Sequence, residues 1–416
     1  MTLLKSTPFL LMFLLSNFSS SLPSLHAAEF DALVVPSLME SDMDGWYKIP
    51  QNSRPSIPVA YSIFHGQSFR LVVLFRGYTA GKDDNVHIRY DVQIYDPQGK
   101  QTNDKGSNLL AYQGPNPKVF ILSQEYLAIK FPEKYPPGTY KIKVTGYDKI
   151  ANKSFTAETS IDLLQFALPE KFASMEKAGE WMMGYHKNPT PIKAISALQS
   201  IVQLDPKWQK RYVPVSTCLG RVFSDNPFLL KNIAKQFDSF SVTDQKRFLL
   251  VCAVSNNTIL EPVIAGDGKE ELREFYNKAK KIKIPDTNGE INTALQLDIL
   301  WSEFFATGKY APIRKIVGAL ALIKHEKTLE KIRSGEIKTL TEEAKLRVYY
   351  LVATHGSAAW SLASNCTQIP LVYKYCVSIY EREDLDESIK NQLGAILIAV
   401  QEKIREKEKS GKLKKE

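Results

Sequence analysis

Near residue 166 the hydrophobic pattern of this 416-residue chain changes its period, from alternation at every second residue to spacings of three and four. The two periods belong to different structures, because side chains alternate across a strand but return to one face of a helix about every 3.6 residues. The chain is therefore expected to fold as a β region followed by an all-α region, and at roughly 100 to 200 residues per domain its length accommodates both. Val86, Ile88, Tyr90, Val92 and Ile94 alternate with His87, Arg89, Asp91 and Gln93, which predicts a strand with one buried and one wet face. Further strands are predicted over 57–64, 69–75, 126–131, 139–147 and 155–164, separated by clusters of Gly, Pro, Asn and Asp. No helical period is read in this first half. Asp96-Pro97-Gln98-Gly99 predicts a chain reversal, since proline presets one dihedral and glycine accepts a positive one.

Two of these pieces carry a resemblance. Asp96-Pro97-Gln98-Gly99, following Val92-Gln93-Ile94-Tyr95, and Pro137-Gly138-Thr139-Tyr140-Lys141-Ile142-Lys143-Val144 are similar to the D-P-x-G and P-x-G-x-Y-x-I-x-V signals of bacterial Ig-like modules. The resemblance implies an antiparallel Ig-like β-sandwich over residues 29–165, acting as a spacer or adhesive platform. No cysteine falls in this half, so the inter-sheet disulfide of antibody-type domains is excluded.

From Leu168 onward proline punctuates the pattern. Pro191, Pro227, Pro262, Pro312 and Pro370 each stand before an apolar-rich stretch, where the missing N–H costs a first helical turn nothing. Pro191-Ile192-Lys193-Ala194-Ile195 is echoed by Pro312-Ile313-Arg314-Lys315-Ile316, and Phe304-Phe305-Ala306-Thr307-Gly308-Lys309-Tyr310 resembles the bend of a tetratricopeptide-type hairpin. Residues 166–409 are expected to form an all-helical domain, either of stacked hairpins or of compact, irregular helices. Its last helix places Ile389, Leu393, Ile396, Leu397, Val400 and Ile404 on one face. A basic tail, 410–416, follows. The segment Phe166 to Lys171, with Pro169, is read as the junction between the halves.

Location is read from the N-terminus. Lys5, the apolar run from Pro8 to Leu15 and a Ser-rich stretch ending in Leu25-His26-Ala27-Ala28 have the layout of a signal peptide over residues 1–28, which predicts export to the periplasm or the extracellular space. No later apolar run reaches the roughly 18 residues of a membrane helix, so no transmembrane segment is expected in the mature chain. The net charge of +9 is too mild for a dedicated nucleic-acid binder, and no nucleic-acid partner is expected. Residues 29–165 are neutral, so the excess lies in the second half. Lys278, Lys280, Lys281 and Lys283 are its densest internal cluster and the candidate contact for a protein or an anionic surface polymer; a merely solvated surface is the alternative.

Catalytic signatures fail one by one. Gly77-Tyr78-Thr79-Ala80-Gly81 has threonine where a nucleophile elbow needs serine, and Leu329 stands where His325-Glu326 would need a second histidine for zinc. Gly266-Asp267-Gly268-Lys269 lacks the glycine spacing of a phosphate loop, and the glycines of Asp42-Met43-Asp44-Gly45 and Asp286-Thr287-Asn288-Gly289 come too early for a calcium loop. All read as turns. His355 and Cys366 on one helix would stand about 16 Å apart, too far to share a proton. The small residues Gly356, Ser357, Ala358, Ala359, Ser361, Ala363 and Ser364 suit close helix packing around Trp360. With no C-x-x-C pair, zinc and redox motifs are unsupported; neither metal nor cofactor is expected, and no catalytic residue is nominated. Cys218 and Cys252, 34 residues apart, are read either as a disulfide between neighbouring hairpins or as buried free thiols. These readings converge on an exported, non-enzymatic binding or scaffold protein. The alternatives are a secreted hydrolase whose site assembles from distant segments and an effector acting on another cell.

Overall fold

Alternation decides the strands of the computed structural model, which describes residues 29–40, 43–48, 57–202, 204 and 209–409. The expected signal peptide and basic tail lie outside the described residues. The β region contains β1 (Asp31–Ser37), β2 (Ser62–Phe64), β3 (Ser68–Arg76), β4 (Asn85–Tyr95), β5 (Gln101–Pro115), β6 (Ile121–Leu122), β7 (Leu127–Lys130), β8 (Gly138–Asp148) and β9 (Lys153–Leu164), with a short helix, α1 (Met43–Lys48), after β1. One sheet has the order β1-β3-β6, with β7 also on β3, and the other the order β2-β9-β8-β4-β5.

Val86, Ile88, Tyr90, Val92 and Ile94 are all buried along β4, as their alternation predicts. Tyr140, Ile142 and Val144 bury in the same way from β8. Between β4 and β5 the Gly99 N–H donates to the Asp96 carbonyl at 2.9 Å, and the Asp96 side chain accepts from Gln98 N and Lys100 N, closing the expected turn with Gly99 at φ +80°. Three expectations need correction. The first half does contain a helix, α1. It also contains β1, β5 and β6, of which β5 shows no apolar alternation because it is a sheet edge whose side chains are nearly all exposed or half-exposed. Finally, the strands are not uniformly antiparallel: β4 pairs antiparallel with β5 and β8, but β2 runs parallel to the end of β9, Ser62 opposite Asp162. The chain between those strands is far longer than a parallel crossover requires.

The helical region contains α2 (Met175–Gly184), α3 (Lys193–Ile201), α4 (Gln209–Asp225), α5 (Pro227–Lys235), α6 (Val242–Val254), α7 (Glu261–Ile264), α8 (Glu270–Ala279), α9 (Ala294–Thr307), α10 (Tyr310–Gly318), α11 (Glu326–Arg333), α12 (Glu342–Gln368), α13 (Pro370–Arg382) and α14 (Glu387–Lys409). The anticipated prolines open α5, α7 and α13, stand in the first turn of α10 and lie two residues before α3. Gly308, at φ +65°, ends α9 and lets the chain return along it as α10. On α14, Ile389, Leu393, Leu397 and Val400 are buried and Ile396 and Ile404 half-buried, so the anticipated face is the packed one. Among the described residues no helix is long and apolar enough to cross a membrane.

The chain divides into two compact units. One comprises the chain up to Val35, Leu71–Leu127 and Thr139–Ile161; the other comprises Pro36–Arg70, Ala128–Gly138 and the chain from Asp162 onward. In the first, Phe30, Phe75, Tyr90 and Phe155 form an aromatic centre with ring centroids 4.9–6.4 Å apart. In the second, one apolar core gathers α2 to α8 and another gathers α9, α10, α12, α13 and α14.

Candidate functional site

Helix α12 has a well-made start. The Thr341 hydroxyl caps it, accepting from Ala344 N at 3.2 Å, and Glu342 and Glu343 set negative charge at the positive end of its dipole. Leu351, Thr354, His355, Ala358, Leu362 and Cys366 form its buried stripe. The opposite face carries Leu346, Tyr349, Tyr350 and Trp360, which are 51%, 51%, 54% and 74% exposed. At about 100° per residue these four fall within an arc of roughly 100°. Tyr349 and Tyr350 meet edge to face at 6.3 Å, and exposed Ala353 and Gly356 keep the surface between them and Trp360 low.

This overturns the expectation of close packing around Trp360. Nothing lies within 4 Å of where a side chain on Gly356 would project, whereas Ala358 is buried and Ala359 and Ala363 pack against the core. Helices α9, α11, α13 and α14 and the 3-10 segment Ala319–His325 pack on α12, and Trp360 is left exposed.

Polar groups from distant segments do converge, in three places within the second unit. Glu40 accepts from Lys309 Nζ at 2.7 Å and lies 3.9 Å from Arg70. The Lys309 hydrogen bond first, then the charges of Lys309, Arg70 and Arg221, hold its carboxyl below the usual range against an opposing effect of burial. A carboxyl held ionised in this way ties chain together and is a poor proton donor near neutrality. Glu383 accepts from the Tyr310 hydroxyl at 2.9 Å and from Arg314 Nε at 2.7 Å, beside a cavity of about 210 Å³ also lined by Asp384 and Asp386. Both of its oxygens are engaged, and burial followed by that hydrogen bond raises the Tyr310 hydroxyl above its ordinary range. His355 meets Gln392 Oε1 through Nε2 at 2.5 Å and Glu326 through Nδ1 at 3.2 Å, and Gln392 in turn donates to the Leu320 carbonyl.

The four candidate lysines are exposed at the end of α8 and just beyond it. Lys278 faces Glu274 at 3.8 Å, and Lys280 pairs with Glu261 at 3.3 Å over the Tyr276 ring. Cys218 and Cys252 are buried on α4 and α6, which pack together, and both carry free thiols. Gly266–Lys269 is a turn, and Leu329 is buried in α11. Among the described residues no group of three His, Cys, Asp or Glu is placed to hold a metal ion. Trp360 alone is read from the sequence, as a packed residue; the signal that could have found the aromatic face is the spacing 346, 349, 350, 360 opposite a second apolar stripe.

No family model matches the chain, and no curated protein matches it. Among solved structures, one described as "The details of glycolipid glycan hydrolysis by the structural analysis of a family 123 glycoside hydrolase from Clostridium perfringens" is similar over 47% of this chain, at 9% identity and a TM-score of 0.23. Another, described as pT26-6p, is similar over 79% of this chain, at 9% identity and a TM-score of 0.18. The matched regions span 36% and 49% of those two chains.

Proposed function

We propose that this is an exported, non-enzymatic binding or scaffold protein that holds a protein partner on the aromatic face of α12. The observation that carries the reading is Trp360, 74% exposed and in line with Tyr349, Tyr350 and Leu346. Leaving large apolar side chains in water is costly, so several of them exposed along one helix face mark an interaction surface rather than a core. Tyr and Trp with intervening small residues is also the chemistry of protein recognition, where rigid aromatic anchors supply most of the energy. Export rests on the signal-peptide layout of residues 1–28. In this reading the β region is the spacer or platform implied by its resemblance to bacterial Ig-like modules, and the lysines of 278–283 add long-range attraction to an acidic partner.

The test is site-specific photo-crosslinking of the full exported chain in its own host, with the crosslinker at position 360 and a control at exposed Ile150. The expected result is a discrete protein adduct at position 360 that is lost when Tyr349 and Tyr350 are replaced by alanine. That double variant should keep its unfolding midpoint, because surface substitutions usually change stability by no more than about 0.5 kcal/mol. An adduct pattern identical to the Ile150 control, or one insensitive to the double variant, overturns the reading.

A further inference from the structure

Cys366 and Cys376 are the two cysteines that the fold brings together. Helix α12 ends at Gln368 and α13 begins at Pro370, so Ile369 alone joins them. Pro370 lacks the N–H that would continue α12, and the chain turns back there. The buried stripe of α12 ends with Leu362 and Cys366, and that of α13 runs through Val372, Cys376 and Ile379. Both cysteines belong to the same apolar core, Cys366 at 2% exposure and Cys376 at 0%. Both are free thiols on helices that pack together, and the two thiols interact with one another. Cys218 and Cys252 have other surroundings: Cys218 lies beside Tyr185 and Cys252 beside Tyr276, and burial alone pushes each thiol up to about 12.

We propose that Cys366 and Cys376 form a disulfide that clips α13 to the back of α12 when the chain folds in an oxidising medium. The oxidant is an external disulfide, either a small one such as glutathione disulfide or that of a dithiol oxidase. One cysteine thiolate attacks a sulfur of the oxidant, breaking its S–S bond and releasing the first oxidant thiol. The second cysteine thiolate attacks the resulting mixed disulfide, forming the Cys366–Cys376 bond and releasing the second. Two protons pass from the cysteines to the departing thiols, and the oxidant is reduced as the pair is oxidised. Contact with Cys366, and then burial, raise the Cys376 thiol well above its ordinary range, so the folded core holds little reactive thiolate. The exchange therefore belongs to folding, after the two helices meet and before α14 and the α9–α10 pair close over them. The chemistry is independent of the binding role proposed for the opposite face of α12.

The full chain refolded from denaturant in a glutathione redox buffer, alkylated under denaturing conditions without reductant and mapped by mass spectrometry, tests this. The expected map contains one peptide pair joined through Cys366 and Cys376. The link disappears in Cys366→Ser and in Cys376→Ser and persists in the Cys218→Ser/Cys252→Ser double variant. Alkylation or glutathione capping of Cys366 and Cys376, or joining of either to Cys218 or Cys252, overturns the proposal. The wild-type map decides the matter even where a serine variant fails to fold.

Discussion

His186 is 6% exposed and lies against the Phe304 ring at 4.9 Å. Burial, helped by the charge of Lys187, holds its imidazole down to about 4. In the unfolded chain the same group titrates near about 6.5, so between those values the unfolded state binds the extra proton. Its contribution is complete above the unfolded value and is lost as pH falls toward the folded one, a change of about 3 kcal/mol at about 1.4 kcal/mol per unit. Urea unfolding of the wild type and of His186→Gln at pH 7 and pH 5 should show the wild type losing the more stability on acidification; equal losses would remove His186 from the account. Nothing in Gly184-Tyr185-His186-Lys187 signals this, because a histidine's environment is set by what packs on it. Trp360 teaches the converse: its type suggests burial, and its neighbours leave it in water.

The helix starts marked by proline were the most legible elements, since proline placement is local chemistry, whereas the caps went unread. At the start of α9, Thr293 and Gln296 form a reciprocal capping box. Gln296 Oε1 also accepts from Asn292 N at 2.9 Å, and its Nε2 donates to the Asp286 carbonyl at 2.6 Å. Gln296 is buried, so truncation leaves several backbone groups without partners. Gln296→Ala should destabilise the protein by about 2 kcal/mol in chemical denaturation, and a loss below about 0.5 kcal/mol would show the box to be dispensable. Strand β5 was illegible for the opposite reason. Its pairing with β4 is made by backbone groups, and its edge position demands no apolar pattern of its own.

At the scale of the whole molecule, the compact unit that contains the helices also takes in Pro36–Arg70 and Ala128–Gly138. Phe64 stacks on Phe228 at 6.1 Å, Glu133 pairs with Lys235, and Ser378 donates to the Lys48 carbonyl at 2.9 Å. Residues 165–172 form neither helix nor strand, and Lys171 is exposed, so trypsin is expected to cut there. The nicked chain should nevertheless elute as one species in size-exclusion chromatography and separate only in denaturant; a helical fragment eluting alone would refute this. The order of β then α, the Asp96–Gly99 turn, the proline-marked helix starts and the buried faces of β4 and α14 could be read from the chain, because each depends on residues within a turn or two of one another. The parallel seating of β2, the exposed aromatic face of α12, the ion pair of Glu40 with Lys309 and the meeting of Cys366 with Cys376 could not. Each depends on which surface another segment covers or which side chain it presents, and only packing between elements settles that.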